Sequence, residues 1–198
     1  MVRPVIGALA LQGAFREHIR AFERLGARAK EIRQLKDLDG IDGVVLPGGE
    51  STTIGKLLVD LEILNPLIEK IKAGMPVFGT CAGLILLCED IEDSSQPRIG
   101  LLKARVKRNA FGSQVDSFEE FLPIPELGAI PYPAVFIRAP LITRVAPEIR
   151  VLASVTQGEA TQTVACRQDN ILATSFHPEL TNDARFHEYF LKMVRSEA

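Results

Sequence analysis

The chain has 198 residues, 46% of them apolar, and its 23 basic and 25 acidic side chains give a net charge of -2. That length suits a single domain over residues 1–198 with one buried core, and the interspersed charge leaves no footprint for nucleic acid or an acidic membrane surface. The longest apolar runs fall short of the ~20 residues that span a bilayer, and Met1-Val2-Arg3-Pro4-Val5 has no signal-peptide architecture, so a cytoplasmic location is expected.

Val5 to Leu11 is a nearly continuous apolar run ending in Gln12-Gly13, the form of a strand buried on both faces of a parallel sheet. Phe15, Ile19, Phe22 and Leu25 then recur at helical spacing against a charged opposite face, and Gly26 stops the helix. Ala27 to Ile32 is a weaker strand candidate. Asp42 to Leu46 is a better one and runs into Pro47-Gly48-Gly49-Glu50-Ser51-Thr52-Thr53. Helices are expected over Ile54 to Leu61 and Ile63 to Lys72, followed by a strand at Pro76-Val77-Phe78 and a helix from about Ala82 that carries Cys88. This alternation predicts an α/β fold, an open, mostly parallel sheet flanked by helices, with sites at the carboxyl ends of strands.

Beyond Glu89 the character changes. Asp90 to Pro97 reads as a polar loop, and short β-rich segments follow: Arg105 to Arg108, Ala134 to Arg138, Val151 to Val155, Thr163 to Arg167 and Ile171 to Thr174. They are expected to extend the main sheet in antiparallel fashion. A closing helix is predicted over Asp183 to Arg195.

Three stretches carry chemistry. Gly79-Thr80-Cys81-Ala82-Gly83 has the glycine-nucleophile-glycine form of a sharp strand-to-helix turn that exposes its central side chain. An unperturbed cysteine is only about 3% thiolate at neutral pH. The N-terminus of the following helix favours the thiolate. Ser175-Phe176-His177-Pro178-Glu179 follows another strand. If His177 and Glu179 are both extended, their side chains emerge on one side, the imidazole taking the thiol proton while the carboxylate orients it. Pro47-Gly48-Gly49-Glu50-Ser51 cannot be a Walker phosphate loop, because five residues separate Gly49 from Gly55-Lys56 and Leu57 follows. It suits an oxyanion hole instead, or a plain capping turn at Ser51 or Thr52. Cys81, Cys88 and Cys166 form no Cys-x-x-Cys pair, which argues against a disulfide framework or a zinc ribbon; Cys88 and Cys166 read as buried packing residues.

These motifs resemble class I triad glutamine amidotransferases. Leu9-Ala10-Leu11-Gln12-Gly13 with Glu17-His18, the Pro47 to Thr53 run, Arg108-Asn109-Ala110-Phe111-Gly112, Gln114 to Phe118 and Phe136-Ile137-Arg138-Ala139-Pro140 are similar to the glutaminase subunits of pyridoxal 5'-phosphate synthase. The resemblance implies a three-layer, flavodoxin-like sheet. It also implies hydrolysis of L-glutamine to glutamate and ammonia, the ammonia passing to a barrel-shaped synthase subunit of the PdxS family that builds pyridoxal 5'-phosphate from ribose 5-phosphate and glyceraldehyde 3-phosphate. No metal or cofactor is implied for this subunit. Cys81 becomes the nucleophile, His177 the base and acid, and Glu179 the orienter. Gly48, Gly49, Glu50, Ser51, Arg108, Ile137 and Arg138 become the glutamine site, with a Gly48-Gly49 N–H turned into the oxyanion hole. The two arginines suit the substrate carboxylate, whereas Arg105 and Lys107 read as solvated charges.

Two other readings compete: a glutaminase that feeds a different acceptor enzyme, and a silent scaffold. The Arg108 to Phe118 and Phe136 to Pro140 stretches oppose the first, and the intact Cys81, His177 and Glu179 oppose the second. His18 and His187 are expected at the surface or an interface.

Overall fold

The computed structural model describes residues 3–108, 117–157 and 160–197. Part of the motif resemblance, Asn109 to Gly112 and Gln114 to Asp116, lies outside the described residues. Five strands run parallel in the order β2 (Arg28–Ile32), β1 (Val5–Leu9), β3 (Gly43–Leu46), β4 (Val77–Thr80) and β12 (Ile171–Thr174). The same sheet continues through β11 (Ala160–Gln168), β9 (Leu141–Val145), β6 (Leu102–Lys107) and β5 (Cys88–Ile91), while β10 (Arg150–Gln157) pairs with β11.

The central strands are apolar at consecutive positions because helices cover both faces. Val44 and Leu46 of β3, Val77 of β4 and Ile171 and Ala173 of β12 pack into one hydrophobic cluster. The residues between them, Val45, Phe78 and Leu172, pack into the other. The first cluster is closed by α2 (Ser51–Asp60), α3 (Leu64–Lys72) and α4 (Ala82–Leu87), and the second by α1 (Phe15–Arg24) and α5 (Arg185–Val194). Helix, sheet and helix therefore form three layers. Among the described residues, no helix is long and apolar enough to cross a membrane.

Five local expectations change. Ile171 to Thr174, expected as an antiparallel extension, is the core strand β12 and pairs parallel with β4. Cys88 is not on the helix that follows Cys81. α4 ends at Leu87, where the amides of Ile99 and Gly100 take the Leu86 carbonyl at 2.8 and 3.2 Å, and Cys88 turns extended to open β5. The polar stretch from Asp90 accordingly begins as a strand, with Asp90 and Ile91 paired to β6.

The strand β8 (Tyr132–Ile137) does not extend the main sheet either. It pairs with β7 (Ser117–Leu122), a strand not expected from the sequence, in a separate two-stranded sheet. Tyr132, Ala134 and Phe136 alternate inward, and the Tyr132 and Phe136 rings pack on Phe186 and Phe176, so the hairpin lies over a face of the main sheet. Finally, β9 pairs antiparallel with β6 and β11, although the sequence pattern did not single it out.

Candidate active site

Parallel pairing places the carboxyl ends of β1, β3, β4 and β12 along one edge, and the next residues of each strand meet there. Register sets Leu46 against Gly79 and Thr80 against Thr174, and the Cys81 amide donates to the Thr174 carbonyl at 2.8 Å. Cys81 has φ 50° and ψ -103°, a conformation that L side chains rarely adopt and that costs of order 1–3 kcal/mol. The cramped turn explains Gly83. A β-carbon there would overlap the Leu46 carbonyl oxygen and stand 2.9 Å from Leu46 Cβ, so α4 could not pack against β3. Cys81 thus precedes the first helical residue, Ala82.

His177 is held from the opposite side. Its amide donates to the Val135 carbonyl at 2.8 Å, tying it to the β8 hairpin. Glu179 is not extended: Pro178–Leu180 forms a 3-10 turn. That turn still brings His177 Nδ1 to 2.8 Å from Glu179 Oε1, because a tight turn folds the carboxylate back under the ring. Burial opposes charge on His177, but its hydrogen bond with Cys81 and the Glu179 carboxylate outweigh it, and its pKa is pushed up to about 10. Burial would also raise the Glu179 carboxyl. The approach of His18 and the hydrogen bond with His177 prevail and hold it below the ordinary carboxylate range. The imidazolium form of His177 is thereby favoured.

A cleft of about 420 Å³ opens over Cys81 and is lined by Gly48, Gly49, Glu50, Ser51, Arg108, Ile137, Arg138 and His177. Every expected site residue is therefore brought together, with Glu179 behind His177. Arg108 follows the end of β6, Ile137 is the last residue of β8 and Arg138 follows it. The Gly48 carbonyl accepts the Ala14 amide at 3.2 Å. Since a trans peptide is planar, the Gly49 N–H points away from Ala14. Neither Ser51 nor Thr52 caps α2. The cap is Glu50, whose carboxylate accepts the amides of Thr52 and Thr53 at 3.1 and 2.8 Å.

Three further residues bear on the site: Gln12 and Ala82 lie in the quoted motifs but were given no role there, and Gln96 was not singled out. Gln12 Oε1 accepts the Glu50 amide at 2.7 Å and steadies the glycine loop. Gln96 Oε1 accepts from Arg108 at 3.2 Å and from the Ser51 and Thr52 hydroxyls at 3.3 and 3.2 Å. Ala82, at the start of α4, presents its amide beside the nucleophile. Gln12 lies at the end of a parallel strand, a position that could have marked it. Gln96 sits in a polar loop with no such mark.

The expectation that His18 and His187 lie at the surface is overturned: they are 0% and 1% exposed. His18 falls between Phe15 and Phe22 at helical spacing, and His187 three residues before Phe190. Both therefore share the faces that α1 and α5 turn to the sheet.

The profile of the SNO glutamine amidotransferase family matches residues 8–196. "Pyridoxal 5'-phosphate synthase subunit PdxT" of Moorella thermoacetica is 57% identical over 96% of this chain and 98% of that protein. The protein of the same name from Carboxydothermus hydrogenoformans is 56% identical over 96% and 97%. Among solved structures, a glutamine amidotransferase superposes with TM-score 0.90 at 48% identity, covering 96% of this chain and 98% of that one. A Thermoplasma acidophilum protein described as a GMP synthase subunit shares the fold at TM-score 0.67 and 20% identity, covering 99% and 96%. With the profile matched almost end to end and these relatives more than half identical, the chain belongs to the SNO glutamine amidotransferase family.

Proposed function

We propose that the chain is the glutaminase subunit of a pyridoxal 5'-phosphate synthase, hydrolysing L-glutamine through Cys81, His177 and Glu179. The observation that carries this reading is a strained cysteine in one cleft with a histidine whose Nδ1 meets a buried carboxylate at 2.8 Å. Relatives named as subunits of that synthase support the pathway. We read residues 1–198 as one glutamine amidotransferase domain, because both hydrophobic clusters close on the same sheet.

Cys81 gives its thiol proton to His177, Sγ attacks the carboxamide carbon, and the oxygen takes the negative charge. Gly49 N–H and Ala82 N–H stabilise that oxyanion, each such donor being worth roughly 3 kcal/mol of barrier. His177 gives its proton to the leaving nitrogen, releasing ammonia and leaving a glutamyl thioester. It then takes a proton from water, which attacks the thioester and frees glutamate with the thiol restored. Glu179 holds the imidazole in the tautomer that both steps need. Arg108 and Arg138 hold the substrate carboxylate, Ile137 and Ser51 bound its chain, and Glu50 fixes the glycine loop through its cap. None of these steps calls on a metal or cofactor.

The ammonia acceptor is a barrel-shaped subunit of the PdxS family, and the free cysteines suit a reducing cytoplasm. The test is glutamate release from glutamine by the purified chain, alone and with that synthase subunit, beside Cys81→Ala. Release stimulated by the synthase and abolished in Cys81→Ala is expected. No release from a stable complex overturns the glutaminase reading, and release indifferent to the synthase overturns the choice of acceptor.

A further inference from the structure

The helix α1 places a fully buried histidine behind the triad, and none of the steps above uses it. His18 Nε2 lies 3.4 Å from Glu179 Oε2 and 3.2 Å from Thr80 Oγ1. Its Nδ1 lies 3.0 Å from His187 Nε2 on α5. The second oxygen of the carboxylate, Glu179 Oε2, is buried and has no formed hydrogen bond among the described residues, and the same holds for His187 Nδ1. A carboxylate approached by His177 at one oxygen is thus approached by His18 at the other.

The proton positions follow from what each atom can do. An ionised carboxylate oxygen only accepts, so the His18 nitrogen facing it must carry the hydrogen. His18 Nδ1 is then a bare acceptor and His187 Nε2–H donates to it, leaving the unpartnered His187 Nδ1 as a lone pair. The reverse assignment would face a nitrogen lone pair against a buried carboxylate and leave an N–H donor unsatisfied at His187 Nδ1. Burial keeps both rings neutral, pulling His18 down and His187 well below the ordinary imidazole range.

The geometry points to His18 as a positioning residue of the catalytic set: its Nε2–H, bonded to Thr80 Oγ1 at 3.2 Å, lies 3.4 Å from Glu179 Oε2, and His187 holds that tautomer. The inference rests on the triad assignment made above. A separation of 3.4 Å is longer than a formed hydrogen bond; contacts of this kind in ligand-free sites commonly tighten in the substrate complex. With His177 bonded to one oxygen and His18 beside the other, the carboxylate is hindered from rotating away from His177 and stays ionised in a buried setting. The other titratable or charged groups around this cluster are Cys81 beyond His177, Tyr132 on β8, and Glu17, Arg20, Glu23 and Arg24 on the groove side of α1.

The test compares His18→Gln, His18→Asn and His18→Leu in the complex with the synthase subunit, with wild type and Cys81→Ala as controls. The Gln amide nitrogen reaches the place of Nε2, whereas that of Asn stops at the place of Nδ1. Gln is expected to retain most of kcat. Asn and Leu are expected to lose about 10- to 100-fold in kcat, the scale of losing an orienting partner, with KM nearly unchanged. Losing a donor to the ionised carboxylate raises its pKa, so their acid limb of kcat/KM moves to higher pH.

If Leu does not fold, the contrast between Gln and Asn decides. An active wild type with an unmoved acid limb in Asn, or with equal losses in Gln and Asn, overturns the role of His18 alone. A wild type that releases no glutamate overturns the glutaminase reading and this inference with it.

Discussion

Gly48 sits against the face of His177 so closely that a β-carbon on it would overlap the ring and stand 2.9 Å from Nδ1. The loop and the imidazole therefore share one space, and glycine is what lets them do so. In Gly48→Ala the ring must leave its place beside Cys81 or the loop must withdraw its amide. We expect kcat/KM for glutamine to fall by about 100-fold or more, with the circular dichroism spectrum unchanged. An alanine variant with normal turnover would show that the packing is slack.

Gln96 joins Arg108 to the start of α2 through contacts of 3.2 to 3.3 Å with Arg108, Ser51 and Thr52. It touches the arginine assigned to the substrate carboxylate, not the reacting atoms. Gln96→Ala should raise KM for glutamine by about 10-fold, the effect of losing a good hydrogen-bonding support, and leave kcat within about two-fold. Steady-state kinetics of the complex checks this, and a loss confined to kcat would contradict it.

Glu50 caps α2 with both carboxylate oxygens. Partial burial raises its pKa, but hydrogen bonds from Thr53 and Thr52 lower it by more, leaving it below 4.5. A depressed folded pKa means stabilisation that is present above the unfolded value and lost as pH falls through the folded one. Glu50→Ala should cost about 1 kcal/mol near neutral pH. Urea unfolding across a pH series should show the difference narrowing below pH 4.5.

The three cysteines differ in their surroundings. Burial pushes the Cys88 thiol well up and that of Cys166 up to about 12, whereas Cys81 meets the cleft. Iodoacetamide should modify Cys81 alone in the native chain, more slowly with glutamine present, and all three after denaturation. Peptide mapping by mass spectrometry reads the outcome, and native labelling of Cys88 or Cys166 would refute it.

Of the parallel core, β1, β3 and β4 were legible because they are apolar runs that lead into glycine, a pattern imposed by burial on both faces, whereas β12 was expected as an antiparallel extension. The nucleophile turn and the His177-Pro178-Glu179 stretch were legible for a related reason: Cys81 directly follows β4, and His177 comes three residues after the end of β12. What the sequence by itself determined about this protein is therefore the α/β class, the glycine loops, and Cys81, His177 and Glu179 at strand ends.

Only the tertiary structure decided the rest, because it depends on pairs far apart in the chain. Whether Ala134 to Arg138 joined the main sheet was a competition between edge pairing and burial of Tyr132 and Phe136 on Phe186 and Phe176, which burial won. His18 and His187 are separated by 169 positions, and a histidine among phenylalanines reads from sequence as an exposed polar residue. The folded core buries both rings because each supplies the other with a hydrogen-bond partner. That pairing, and its approach to Glu179, exist only once α1 and α5 lie side by side on the sheet.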